Sequence, residues 1–313
     1  MFSKHLNAPR LSFTKPRTHA DNDFPTSASE DMKVIGGAGN FWLYSEKEGY
    51  DITHPAAPNS AKVYPRMTLR TQDSRVTIDP TKTALVLIDL QNYFLSPAFG
   101  RPSDSLGLQV VEWLTEQAIP ACRKAGIPIL WLGWGLTDED IDTMPPVIVR
   151  GFSMDTNFEG NREIPGLGTN IGPITLDDGS TVEGGTVLMR DQWNSNLYSA
   201  LESLAHPDDL RVWKNRLSGF WGGTNVESVL KARGIRTLIF AGCDTDQRVA
   251  ASLTDAVWNN WDCLLLSDGT ATTSPKFAQE MVEFNMGGWG FLLNCKDLVE
   301  GVETLETGPS GEA

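Results

Sequence analysis

Histidine and cysteine are scarce in this chain of 313 residues, with 4 of each. Four cysteines at irregular spacing build neither a disulfide framework nor a zinc ribbon. Cys263 and Cys295 sit in apolar runs and Cys122 follows a helical pattern, so all three read as small buried hydrophobes in a reducing compartment. Positive charge is also in deficit: 26 Lys and Arg stand against 40 Asp and Glu, a net charge of -14. Such a surface repels phosphate backbones and anionic lipids, which argues against nucleic-acid and membrane-surface partners. No apolar run approaches the ~20 residues that span a bilayer. Residues 1–25 contain no apolar stretch of the signal-peptide kind, so a cytoplasmic protein is expected. No phosphate-binding glycine motif occurs, which leaves nucleotide cofactors without support.

What is present suffices for a full core: 40% of residues are hydrophobic and 21% charged, ordinary values for a globular protein. Residues 1–30 are polar, carry Lys4, Arg10, Lys15 and Arg17, and lack periodicity, so they read as a poorly ordered tail. Residues 31–80 read as an arm. Its Phe41, Trp42, Leu43 and Tyr44 are too apolar to leave in water and call for packing on the main domain or on a partner subunit, with the chain itself favoured. Residues 81–300 form the main domain and residues 301–313 a C-terminal tail.

Within the main domain, apolar runs alternate with helical patterns. Residues 83–88 (TALVLI), 127–132, 210–213, 237–241, 263–266 and 289–293 read as strands. Leu106, Val110, Trp113, Leu114 and Ala118 recur at helical spacing, as do Val249, Leu253, Ala256 and Val257 within residues 246–258. Thr224 and Glu227 suggest a capping box for a helix ended by Gly234, and Ser274 with Pro275 suggests the start of a helix running through Phe284. This order predicts an α/β fold, a doubly wound parallel sheet with helices on both faces. Ligands bind such sheets beyond the carboxyl ends of the strands. Residues 133–184, rich in Gly, Pro, Asp and Thr, break the alternation and read as a functional loop or lid.

Polar residues at strand ends carry the chemistry. Asp89 follows the first apolar run, Lys214 follows Val212 and Trp213, and the segment Gly242, Cys243, Asp244, Thr245, Asp246, Gln247, Arg248 joins a strand to a helix. A buried Asp facing a Lys holds an acid/base group in a dry site. Singly, each of them also fits an ion pair or a helix cap, and capping is the favoured role for Asp246.

The stretches LVLIDLQNYF, VWKNRLSGFWG and FAGCDTDQRVAASLTDA together resemble the isochorismatase-like (cysteine) hydrolases, over residues 83–297. WLGWGLTDEDIDTMPP and SDGTATTSPKFAQEMVEFN resemble a long-form branch with an extended N-terminal arm. The resemblance implies six parallel strands, a small-molecule substrate, and assembly as a homodimer or homotetramer. In cysteine members the motif G-x-x-T-D-x-C-V supplies the nucleophile at a helix start. By the same resemblance Asp89 matches the base and Lys214 its support. Backbone N–H groups at Asp244 and Arg248 match the oxyanion site, and the peptide between Cys243 and Asp244 matches one that is cis.

Here Arg248 stands in the nucleophile's position. A guanidinium is always protonated and cannot attack a carbonyl. Nicotinamidases of the family bind a metal through Asp-x-His and a second His, but His5, His19, His54 and His206 match no such motif. Asp138, Glu139, Asp140 and Asp142 read as a solvated or capping cluster. Neither metal nor cofactor is therefore expected. True isochorismatases lack the nucleophile and use the Asp at the Asp89 position as proton carrier. The expectation is an acid/base enzyme with Asp89 and Lys214 at its centre and Arg248 as anion binder. Gln91, Tyr93, Trp134, Trp193, Phe220 and Trp221 are its substrate-binding candidates, although each aromatic singly also suits the core. Two alternatives stay open: a degenerate hydrolase that binds a ligand or partner, and an amidohydrolase with Cys243 as relocated nucleophile.

Overall fold

The computed structural model describes residues 25, 27–29, 31–153 and 166–309. The body of the tail expected at 1–30 lies outside these residues. Ahead of the main domain, β1 (Ser27–Ser29), β2 (Met32–Gly37), β3 (Asn40–Ser45), β4 (Gly49–Asp51), β5 (Met67–Arg70) and β6 (Arg75–Ile78) form a sheet in the order β1-β2-β3-β4-β6-β5. Next come β7 (Thr83–Ile88), β8 (Ile129–Trp134), a small hairpin of β9 (Pro173–Thr175) and β10 (Thr181–Glu183), then β11 (Leu210–Lys214), β12 (Thr237–Cys243), β13 (Asp262–Ala271) and β14 (Phe291–Leu293). The main sheet runs β11-β8-β7-β12-β13-β14, and every pairing in it is parallel. The six-stranded parallel sheet expected from sequence is present, with helices on both faces.

Every residue of β7 is buried, because the strand has a core on each side. Leu85 and Leu87 face one core with Ile239 of β12 and Leu264 of β13, closed by Val110, Leu114, Ile119 and Leu298 from helices. Ala84, Val86 and Ile88 face the other with Leu238, Phe240 and Leu265, closed by Val226, Leu230, Leu253 and Val282. The chain lays down β7, β8 and β11 outward in one direction, then returns to the other side of β7 for β12, β13 and β14. The reversal between β7 and β12 makes the carboxyl ends of these strands a topological switch point, the place where such sheets bind ligands.

The arm at 31–80 is a sheet that extends the first core. Ile52, Met67, Leu69, Val76 and Ile78 join that core. Phe41 and Leu43 are buried, the Trp42 ring lies 5.4 Å from that of Phe291, and Trp42 Nε1 donates to Asp262 Oδ1 at 2.8 Å. The aromatic patch thus packs on its own chain. Residues 301–309 are no tail. Val302 is buried at the end of the helix Cys295–Val302, and Arg66 and Glu306 exchange backbone hydrogen bonds of 2.9 and 2.8 Å, so β5 ties this segment down.

Several local expectations give way to tertiary partners. The hydroxyl of Thr224 donates to Gly219 O and Glu227 binds Lys231 and Asn259, so the helix Val226–Ala232 has no capping box. The helix Lys276–Trp289 starts after Pro275 rather than at a Ser274 cap, and it runs five residues past Phe284. That delays the last strand to Phe291. The 133–184 stretch is not one loop: it holds the end of β8, the helices Asp138–Asp142 and Pro146–Ser153, and the hairpin β9–β10. Among the described residues no helix is long and apolar enough to cross a membrane.

Candidate active site

Four adjacent strands, β11, β8, β7 and β12, deliver the site. Asp89 follows β7 with a φ of 54°, in the left-handed region that Asp tolerates better than most residues, and its N–H donates to Leu132 O of β8 at 3.0 Å. On the other side, Gly242 of β12 has a φ of 126°, and a Cβ there would lie 2.1 Å from Ile88 O. Only glycine permits β12 to approach β7 this closely just before Asp89.

Lys214 ends β11, in register with Trp134 at the end of β8. Its Nζ lies 2.9 Å from Asp89 Oδ2 and 4.2 Å from the centre of the Trp134 ring, and it donates to Arg216 O at 3.2 Å. After β12 the Cys243–Asp244 peptide is cis, as the resemblance implied. A wide helical turn, Thr245–Val249, follows and leads into the helix Ala250–Trp258. Arg248 in that turn places Nε 3.0 Å from Asp89 Oδ2 and Nη2 2.5 Å from Asp244 Oδ2. Its guanidinium carbon lies 4.0 Å from the centre of the Phe94 ring. Both cations therefore lie at ion-pair distance from one oxygen of Asp89, Oδ2, and none from Oδ1, while among the described residues neither buried oxygen has a hydrogen-bond partner.

The side chains of Asp89 and Lys214 are 0% exposed. Burial pushes the Asp89 carboxyl above its ordinary value, and Lys214 and Arg248 only partly offset this. Burial lowers Lys214 to about 8 against the opposing pull of Asp89. Burial also works against the charge of Arg248, but Asp244 and Asp89 outweigh it and the guanidinium stays above the usual arginine value. The two carboxylates and two cations form a charge-compensated buried group, the condition under which such charges are tolerable.

The other candidates are distributed differently. Gln91 is a clamp: Nε2 donates to Trp134 O at 2.7 Å and Ser195 O at 2.6 Å, and Oε1 accepts from Trp134 N at 2.9 Å. Tyr93 is buried against Phe94 and Phe99, and burial raises its hydroxyl to about 12. Trp193 packs near Phe99 and lines a separate cleft of about 720 Å³ with Asn92 and Tyr198. Phe220 does not line the site. It is held in the second core between Phe240 and Trp261, because the segment after the edge strand β11 turns back onto that core. Trp221 is 42% exposed at the surface under Arg216, and so is also outside. Asp246 does not cap: Asp244 holds the cap position without a side-chain bond, and Asp246 Oδ1 is buried without a hydrogen-bond partner. Cys243 sits in the first core, where burial raises its thiol to about 12 and Asp244 adds to the rise. In the acidic cluster, Asp140 closes a capping box with Thr137 and accepts from Asn215 Nδ2 at 2.5 Å.

Two residues escaped sequence reasoning. Phe94 covers Arg248, and its only signal was its place beside Tyr93 in LQNYF. Arg101 Nη2 donates to Tyr93 O at 2.9 Å, and its Nε is buried without a hydrogen-bond partner. A lone arginine after Gly100 carries no motif that would have flagged it.

Among solved structures, the chain is similar to a cysteine hydrolase from Pseudomonas syringae pv. phaseolicola 1448A, at 19% identity and a TM-score of 0.52, over 78% of this chain and 99% of that one. It is also similar to an isochorismatase family protein from Desulfovibrio vulgaris subsp. vulgaris str. Hildenborough, at 18% identity and a TM-score of 0.52, over 70% and 97% of the two chains. These likenesses speak for the fold. The isochorismatase domain itself matches residues 83–287, well over half of the sequence and all four strands that deliver the charged group, and the chain belongs to the isochorismatase family.

Proposed function

We propose that this family member is a cofactor-free acid/base enzyme acting on a small anionic or aromatic metabolite, with Asp89 as proton carrier. The observation that carries this reading is the asymmetry of the Asp89 ion pairs: Oδ2 lies within 3.0 Å of both Lys214 Nζ and Arg248 Nε, Oδ1 has neither contact, and among the described residues neither buried oxygen has a hydrogen-bond partner. A buried acceptor without a partner is costly, and such exceptions in a folded core call for an explanation. Oδ1 is the atom at which a proton is taken up and returned. Burial raises the carboxyl above its ordinary value while Lys214 and Arg248 pull it back down, the opposing influences that tune a general acid/base. Lys214, at about 8, titrates together with Asp89 as a coupled pair.

Arg248 stands where the resemblance puts a nucleophilic cysteine, so no covalent bond forms between protein and substrate. Its own charge is taken up by Asp89, Asp244 and the Phe94 ring. The arginine therefore acts as a charge partner of Asp89 rather than as the anion binder expected from sequence. Hydrolysis, elimination and rearrangement all fit one proton leaving Oδ1 and returning to it.

A second reading is a silent binding protein. It is favoured by the enclosure of the network: the Asp89 and Lys214 side chains are wholly covered and Arg248 is paired with both Asp89 and Asp244. A thermal-shift screen of carboxylated aromatic and enol-ether compounds selects ligands. Their consumption is then followed by mass spectrometry for the wild type and Asp89→Asn. The acid/base reading expects turnover in the wild type and at least a hundredfold loss in the variant. Equal turnover in both sinks it, and a bound but unconsumed ligand establishes the silent reading.

A further inference from the structure

The helix Lys276–Trp289 seats Val282 and Met286 in the second core. Its opposite face presents Phe277, Met281, Phe284 and Gly288 at i, i+4, i+7 and i+11, a helical stripe pointing into water. Phe277 is 70% exposed, Met281 55% and Phe284 83%. Trp258, 67% exposed at the end of the preceding helix, contacts Trp289 with ring centres 5.8 Å apart. Single exposed apolar residues are commonplace, but five large ones over two neighbouring helices are not. Side chains of this size leave about 600–700 Å² of apolar surface in water, more than the largest patch on a typical monomer.

We infer that this face is the contact between two copies of the chain. Doubled across a two-fold axis, the patch gives about 1,300 Å² of buried surface, within the range of stable interfaces. A two-fold contact needs only the same patch twice. The stripe itself carries no charge, while Lys276, Glu280 and Glu283 lie along its flank, with Lys276 and Glu280 paired at 3.0 Å. This matches an apolar centre with a polar rim. It also suits two chains that each carry a net charge of -14 and can meet closely only on a neutral face. The aromatic patch at Phe41–Tyr44, for which a partner contact was the less favoured alternative, is used up within its own chain. The inference is independent of the acid/base reading.

Sedimentation equilibrium of the full chain at about 1–100 µM tests it. The wild type is expected to dimerise, and more tightly at about 0.5 M than at 0.1 M salt, because screening removes like-charge repulsion. Phe277→Glu/Phe284→Glu is expected to weaken dimerisation at least a hundredfold while leaving the circular dichroism spectrum unchanged. If that pair misfolds, Phe284→Ser carries the same expectation with a smaller loss. A wild type that stays monomeric at 100 µM overturns the inference. So does a charged variant that folds and dimerises undiminished.

Discussion

Replacing Asp89 with Asn tests the buried charge group at its centre. Asparagine keeps the shape and removes the charge that holds Lys214 Nζ at 2.9 Å. Removing one partner of a buried ion pair costs about 3–5 kcal/mol, because the other charge is stranded. The Trp134 ring, 4.2 Å from Nζ, softens this only slightly. Lys214 has one escape, which is to release its proton. Burial already brings it down to about 8 although Asp89 pulls upward, so without Asp89 it falls further. In the unfolded chain this lysine titrates near 10.5. Between the folded and unfolded values the unfolded chain binds more protons, so stability rises with pH across that window. In the wild type the rise starts near pH 8, and in the variant it starts lower. The raised carboxyl of Asp89 acts in the opposite direction on wild-type stability, since its contribution is full below 3.8 and is lost as pH rises through the folded value, and this too narrows the gap between the wild type and the variant. The deficit of the variant should therefore be largest at the acid end of the range and shrink by up to about 1.4 kcal/mol per pH unit for each group as pH rises toward 8. Urea unfolding of both proteins from pH 5.5 to 8.5 reads this directly. A deficit constant across that range, or one below about 0.5 kcal/mol at pH 6, would refute the coupling of Asp89 to Lys214.

Other perturbations probe the remaining parts. Arg248→Ala frees Asp89 Oδ2 of one cation, which should raise the carboxyl further, shift the acidic limb of the pH–rate profile upward and slow turnover roughly tenfold to a hundredfold. Arg248→Cys restores the Asp, Lys and Cys set of the relatives, and assays with activated esters and amides should detect no hydrolase activity if the pocket has been rebuilt around the arginine. Iodoacetamide with peptide mapping should leave Cys243 unlabelled in the native protein at pH 7.5, because its buried thiol sits at about 12. Gln91→Leu strips three hydrogen bonds from the Trp134 and Ser195 backbone and should cost about 2–4 kcal/mol in urea unfolding.

Asp89 was legible because it is a polar residue directly after a strand buried on both faces, and Lys214, with a weaker signal, because it follows Val212 and Trp213 at the end of the edge strand β11. The strands themselves were legible for the same reason. The partners of Arg248 were not. Asp244 reaches it across a wide turn whose geometry no residue pattern announces. Phe220 lies only six residues beyond Lys214 yet packs in the second core, and nothing in the sequence says that β11 is an edge strand whose following segment folds back there. The caps expected at Thr224, Asp246 and Ser274 are absent for local reasons: the Thr224 hydroxyl is taken by Gly219 O, Asp244 holds the cap position ahead of Asp246, and the helix Lys276–Trp289 begins only after Pro275. The N-terminal sheet did carry a signal, the alternation of Met67 and Leu69 and of Val76 and Ile78 around a tight turn, but its strands are short enough to pass for an arm.

The order of the strands explains why one carboxylate oxygen receives two cations. Lys214 comes from β11, two strands to one side of β7, and Arg248 from the turn after β12, the neighbour on the other side. A sheet wound in one direction only would bring cations to Asp89 from one flank. The reversal at β7 brings them from both, so the group stitches together the two halves of the main domain at the place where they would otherwise part. Its members are therefore coupled through the whole sheet, and their substitutions should not be additive. Under the acid/base reading we propose, the engagement of Oδ2 by both cations leaves Oδ1 as the atom for proton exchange.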